Sequence, residues 1–145
     1  MKAVLQRVKN AKVEVEGIEV GAIDSGLLIF LGIHHEDTVQ DIDYLVKKIA
    51  NIRIFEDENQ KMNLSVKDIN GSVLIVSQFT LYGDIKRGNR PDFMKAAKPE
   101  KAKEYYEIFV NRFKETKLNT KTGVFAADMM VYLINDGPVT IIVET

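Results

Sequence analysis

The chain has 145 residues, 46% of them hydrophobic and 28% charged, with a net charge of −1. That length makes one domain able to bury about two-thirds of its unfolded surface. The absence of cysteine excludes thiol nucleophiles, disulfides and thiolate metal sites, and the near-neutral balance excludes a general basic coat for nucleic acid, though not a local patch.

Residues 2–8 read as a strand, with Val4, Gln6 and Val8 alternating against Leu5 and Arg7. Met1 leads straight into this pattern with no signal peptide, and no apolar run approaches the roughly 18 residues of a membrane span. A cytoplasmic protein is the expectation. Val13 and Val15 alternate with Lys12, Glu14 and Glu16 in a second strand with one wet face. Gly17 turns the chain into a third strand, Ile18 to Ile23, and the turn formers Asp24-Ser25-Gly26 precede the apolar run Leu27 to Ile33. Connections this short predict an antiparallel meander.

Thr38 offers a helix N-cap, answered by Asp41. Val39, Ile42, Leu45, Val46 and Ile49 then fall at helical spacing, predicting an amphipathic helix of about 13 residues. Alternation returns at Ile52 to Phe55, Glu56 to Gln60 form a charged turn, and Lys61 to Leu64 a short extension. Pro99 suits the first turn of a second helix. Its buried stripe is Ala102, Tyr105, Tyr106, Phe109 and Phe113, and its wet face Lys103, Glu107 and Lys114. The segment 122–127 leads into a strand from Met129 to Ile134, and the last strand runs from Val139 to Glu144. The fold class is α+β: mostly antiparallel strands with two long helices. Two helices cannot wrap both faces of so many strands, so the sheet should curl toward a barrel or pair with another subunit.

Four stretches could carry chemistry. Ser72 to Asp84 begins as an unbroken apolar run, Val73-Leu74-Ile75-Val76, suited to a strand buried on both faces. It ends in Ser77, Gln78 and Thr80, polar groups that either find neighbouring backbone partners or serve a ligand. His34-His35-Glu36-Asp37 has metal-binding residue types, but adjacent side chains rarely converge on one ion, so it reads as a solvated loop. No metal or cofactor is expected.

Residues 86–103 carry Lys86, Arg87, Arg90, Lys95, Lys98, Lys101 and Lys103 against only Asp92 and Glu100. This is either an ordinary charged loop and helix start or a positive face for phosphates. Asn135-Asp136-Gly137-Pro138 is either a plain β-turn or a place where close approach is needed. Its proline restricts Gly137 to extended backbone unless the bond is cis, and glycine admits a ligand or another chain.

Ser77-Gln78-Phe79-Thr80-Leu81 and Asn135-Asp136-Gly137-Pro138-Val139-Thr140 together resemble the two hallmarks of the D-aminoacyl-tRNA deacylases. Further matches stand in order along the whole chain: Gln6-Arg7-Val8, Arg53-Ile54-Phe55, Lys61-Met62-Asn63, Gly88-Asn89-Arg90-Pro91 and the segment Gly123 to Met129. Gln60 departs from the usual glycine before Lys61, and Asp92 from the common serine.

The resemblance implies a homodimer of barrel-like subunits with interfacial active sites, acting on the 3′ end of tRNA with no DNA or membrane partner. It implies ester hydrolysis that releases a D-amino acid, with glycyl-tRNA as a second substrate. Gly137-Pro138 would be a cis dipeptide entering the partner's pocket, where its carbonyls meet the substrate's amino group and exclude an L side chain. Val139 and Thr140 would support it, and Leu81, Phe125, Ala126 and Met129 would complete the substrate pocket. Backbone N–H groups around Phe79 and Thr80 are the candidate oxyanion site. Thr80 is expected to position an attacking water, since no base stands beside it in sequence. Lys86, Arg87 and Arg90 would meet the tRNA backbone. A non-enzymatic dimeric RNA-binding module is the competing class, and a general esterase or amidase a third.

Overall fold

The computed structural model describes residues 1–145 throughout. Its elements, in chain order, are β1 (Lys2–Val15), β2 (Ile18–Ile23), β3 (Gly26–Gly32), α1 (Val39–Asn51), β4 (Phe55–Glu56), β5 (Met62–Leu64), β6 (Ser72–Ser77), a 3₁₀ turn (Phe79–Tyr82), α2 (Pro99–Glu115), β7 (Asn119–Thr122) and β8 (Met130–Glu144). The main sheet runs β2-β1-β3-β6-β7, with β8 added to β1. Its edges approach one another between β2 and β7. A Cβ on Gly21 would stand 2.5 Å from the Thr122 carbonyl oxygen, so only glycine lets the two strands come this close. The sheet thus curls into a nearly closed barrel, as expected, with both long helices present.

Several local expectations are corrected. The two opening strands are one 14-residue strand, because Arg7, Val8 and Ala11 are all buried and the chain has no reason to leave the sheet between them. The first strands form one long antiparallel hairpin rather than a meander: β2 pairs with the second half of β1 and β3 with its first half, while β8 takes the other edge. The sheet is mixed, since β3 pairs parallel with β6, and β6 with β7. Crossovers through α1 and α2 make those parallel pairings possible. The four-residue β7 has no hydrophobic alternation, which is why sequence patterning passed over it. The two closing strands are one 15-residue strand, in which Asp136 to Val139 form an excursion rather than a hairpin.

The unbroken apolar runs now have a physical reason. On β6, Val73 and Ile75 face the core beneath the helices, while Leu74 and Val76 face a second core inside the barrel. On β3, Leu27, Ile29 and Leu31 join the first and Leu28 the second. A strand with helices on one face and a barrel interior on the other must be apolar at every position.

In α1 the Asp41 carboxylate accepts the Thr38 N–H and hydroxyl, both at 2.7 Å. These bonds, the hydroxyl's first, hold its pKa below the ordinary aspartate value. Ile42, Leu45, Val46 and Ile49 are buried, whereas Val39, in the first turn, is exposed. Along α2, Tyr106, Phe109, Val110 and Phe113 are buried, and the Tyr106 hydroxyl donates to the Ile75 carbonyl at 2.8 Å. No helix is long and apolar enough to cross a membrane.

Candidate active site

The parallel strands β3 and β6 end side by side, and the chain beyond them turns away to either side. The Gln78 N–H donates to the Leu31 carbonyl at 2.8 Å, tying the two ends together. Beyond lies a cleft of about 630 Å³. Leu31, Ile33, Val76, Ser77, Gln78 and Phe79 form one wall, and Phe125 to Met129 with Val131 form the other. Phe93, Ala96, Ala97, Pro99 and Ala102 close it. Crevices outside the carboxyl ends of parallel strands are habitual ligand sites.

At the β6 end, Ser77 and Gln78 are half-buried, and Phe79 and Thr80 in the 3₁₀ turn that follows are exposed. The first hydrogen bond of that turn is donated by Leu81 N–H to the Gln78 carbonyl, at 3.3 Å. Phe79 and Thr80 precede it, so the turn itself supplies no acceptor for their N–H groups. The Gln78 side-chain amide donates to the Thr80 hydroxyl. The opposite wall is shaped by two backbone features. A Cβ on Gly123 would lie 2.5 Å from the Met129 sulfur, so glycine lets that side chain lie flat, and Ala126 adopts a left-handed φ of 62°. Phe125 also packs on the Tyr106 ring, centroids 5.8 Å apart, and so serves core and cleft together.

Asp128 is the one ionisable side chain lining the cleft. Both histidines lie elsewhere. Their rings stack on each other at 4.3 Å, and His34 also packs on Tyr82. Tyr106 and Tyr82 have pKa values well above the ordinary phenol range, chiefly through burial, and stay protonated. No group of three His, Asp or Glu residues is arranged to hold a metal ion. The cleft therefore offers hydrogen bonds and an apolar surface, and neither a strong base nor a nucleophile–base pair.

Not all of the expected residues come together. Ser77, Gln78, Phe79, Phe125, Ala126 and Met129 line the cleft, while Thr80 is exposed beside it. Leu81 faces a separate cavity of about 650 Å³ with His34, Asp37 and Tyr82. Gly137, Pro138, Val139 and Thr140 lie on β8, outside the cleft of their own chain.

The excursion on β8 is firmly built. Gln6 pairs with Thr140 and Val8 with Asn135, so Arg7 alone faces the residues between. Arg7 is buried, donating from Nε to the Asp136 carbonyl at 3.0 Å and from Nη1 to the Ile54 carbonyl at 2.7 Å. The Asn135 carboxamide accepts the Val139 N–H at 2.8 Å and donates to the Thr140 hydroxyl at 3.0 Å. The Gly137–Pro138 peptide is cis, and both residues are exposed. Gly137 has φ of 134°, and a Cβ there would meet Val139 Cγ2 at 2.8 Å and Arg7 Nη2 at 3.1 Å. Sequence reading missed the part played by Arg7. A lone arginine on the apolar side of a strand was the available signal.

Lys86, Arg87, Arg90 and Lys95 surround a depression of about 770 Å³ next to the cleft. Asp84 and Asp92 clamp its loop through paired backbone hydrogen bonds of 2.8 and 2.9 Å. The Asp84 carboxyl is held below its ordinary pKa by the Lys86 N–H, then by the charges of Lys86, Lys95 and Arg87. Lys101 is not part of this face, because its ammonium donates to the carbonyls of His35 and Asp37.

Comparison with known proteins adds to this geometry. A family model described as D-Tyr-tRNA(Tyr) deacylase matches residues 4–144. A protein of Thermosipho africanus named D-aminoacyl-tRNA deacylase is 58% identical over 145 residues, covering 100% of this chain and 97% of its own. A protein of the same name from Halalkalibacterium halodurans is 57% identical, with 100% and 99% covered. Among solved structures, the c-Myc DNA Unwinding Element Binding Protein superposes with TM-score 0.95 at 44% identity, covering 100% of this chain and 99% of its own. A probable eukaryotic D-amino acid tRNA deacylase shares the fold, with TM-score 0.84 at 15% identity and 98% and 97% covered.

Proposed function

This chain belongs to the D-aminoacyl-tRNA deacylase family, and from that premise we propose that it frees tRNA of D-amino acids by hydrolysing the ester at the 3′-terminal adenosine. The observation that carries the reading is the family match over nearly the full chain, together with the segment Ser77 to Leu81, whose first three residues line the cleft.

In this reading the ester lies across the end of β6. The N–H groups of Phe79 and Thr80 stabilise the oxyanion as a water attacks the carbonyl carbon. The 2′-hydroxyl of the terminal ribose assists the proton transfer, a role supported by the lack of any histidine or lysine lining the cleft. Thr80, already bound to the Gln78 amide, positions the water rather than attacking. Phe125, Ala126 and Met129 hold the adenosine.

Chirality is judged by backbone. Gly137 and Pro138 of a second copy of the chain enter the cleft in a homodimer, and their carbonyls meet the substrate's amino group. An L side chain then collides with main chain that Arg7 and Asn135 hold in place, and rejection by a rigid wall exceeds rejection by a missing contact. Glycine has no side chain to exclude, which makes glycyl-tRNA a second substrate.

The deciding assay follows release of amino acid from D-tyrosyl-, L-tyrosyl- and glycyl-tRNA. The wild-type protein should hydrolyse the D and glycyl esters and spare the L ester. Gly137→Ala, whose added methyl displaces Val139 or Arg7, should narrow the D/L ratio by roughly ten-fold or more. An unchanged ratio in that variant would sink the steric-wall reading. Protection of all three esters by the wild type would favour a binding module instead, and turnover of simple esters a general esterase.

A further inference from the structure

Phe79 and Phe93 form a pair that the reaction at the end of β6 leaves unexplained. Their rings meet edge to face at 5.1 Å, yet Phe79 is 57% exposed and Phe93 36% exposed. Two large aromatic side chains left open at a cleft mouth forgo the burial that would ordinarily hold them.

Their seat is built. A Cβ on Gly83 would stand 3.2 Å from Phe93 Cε1, so glycine at the end of the 3₁₀ turn lets the ring lie against the chain. Phe93 follows directly on Asp92, half of the clamp that closes the basic loop, and the Asp92 carboxylate accepts the Met94 N–H at 2.7 Å. The pair thus stands where the apolar cleft meets the depression ringed by Lys86, Arg87, Arg90 and Lys95. Exposed aromatic rings beside a cationic track are how proteins hold single-stranded nucleic acid, bases on the rings and phosphates on the cations.

We propose that the Phe79–Phe93 pair is a stacking subsite for the nucleobase preceding the terminal adenosine, with its 5′ phosphate directed toward the basic loop. The assignment rests on the deacylase reading, which places the terminal adenosine in the adjoining cleft. A single-stranded 3′ end leaving that cleft meets the pair before it reaches the cations. Stacking is indifferent to base identity, since every base has a π face, so this subsite measures the presence of an unpaired nucleotide rather than its sequence.

The test compares D-tyrosyl esters of adenosine and of the trinucleotide cytidylyl-cytidylyl-adenosine, with kcat/KM measured for each. The wild-type protein should prefer the trinucleotide. In Phe93→Leu that preference should fall roughly ten-fold, chiefly through KM, and Phe93→Tyr should restore it. A trinucleotide preference unchanged in Phe93→Leu would overturn the subsite, as would equal losses on both esters or no preference in the wild type. Failure of the wild type on both esters would overturn the deacylase reading and this one with it.

Discussion

Thr80 is the residue that most resembles a nucleophile and has the least to activate it. Its hydroxyl receives the Gln78 amide, and neither histidine lines the cleft. If Thr80 positions water, Thr80→Ala should lower kcat by up to about a hundred-fold, the scale of one misplaced contact. Single-turnover hydrolysis of D-tyrosyl-tRNA measures this, and abolished turnover with intact fold and tRNA binding would return Thr80 to the chemistry. Arg7 shows the opposite character: no chemistry, and a large structural share. Arg7→Met would leave the carbonyls of Ile54 and Asp136 without their donor, a cost of roughly 2–4 kcal/mol. Urea unfolding should show that loss, and the D/L ratio should narrow as the excursion on β8 loosens.

The loop between Asp84 and Asp92 is an element in its own right, tied at both ends by backbone hydrogen bonds and carrying Lys86, Arg87 and Arg90 outward. Phosphate contacts contribute affinity through counterion release, about one unit of salt slope per cation. Replacing Arg87 and Arg90 together by Gln should flatten the dependence of log K on log salt by about two units. An unaltered slope, measured by filter binding of tRNA across salt, would remove this loop from the RNA footprint. The charge run was visible in sequence, but its membership was not. Lys101 belongs to the same run and is turned inward, because two carbonyls of the loop 34–37 claim its ammonium.

The molecule as a whole leaves one side of β8 without a strand partner, and Met130, Tyr132, Ile134 and Ile142 stand exposed along it. Such an edge invites another chain. In the proposed dimer this face is covered and the Gly137–Pro138 peptide is carried to the partner's cleft. Ile134→Asp should then shift the protein to monomers in sedimentation velocity and lose stereoselectivity together with deacylation. A wild-type protein that sediments as a monomer at micromolar concentration would refute the cross-subunit site.

Much of this was legible in the chain itself. The caps and stripes of α1 and α2 and the doubly buried β6 follow from local periodicity, whereas the two hallmark segments stand out only through their resemblance to a known family. Hydrophobic pattern records how deeply a residue is buried, and little about what buries it. That is why the apolar run of β6 could be read while its parallel partners could not, and why β1 and β8 each looked like two strands. Arg7 makes the same point in one residue. Its alternation placed it on a strand, but only the folded chain brings Ile54 and Asp136 to its guanidinium. Sequence determined which segments form helices and strands, because those depend on near neighbours. Tertiary structure decided that the cleft and the proline excursion lie apart within one chain, because pairing across the sheet is a long-range choice that no local pattern encodes.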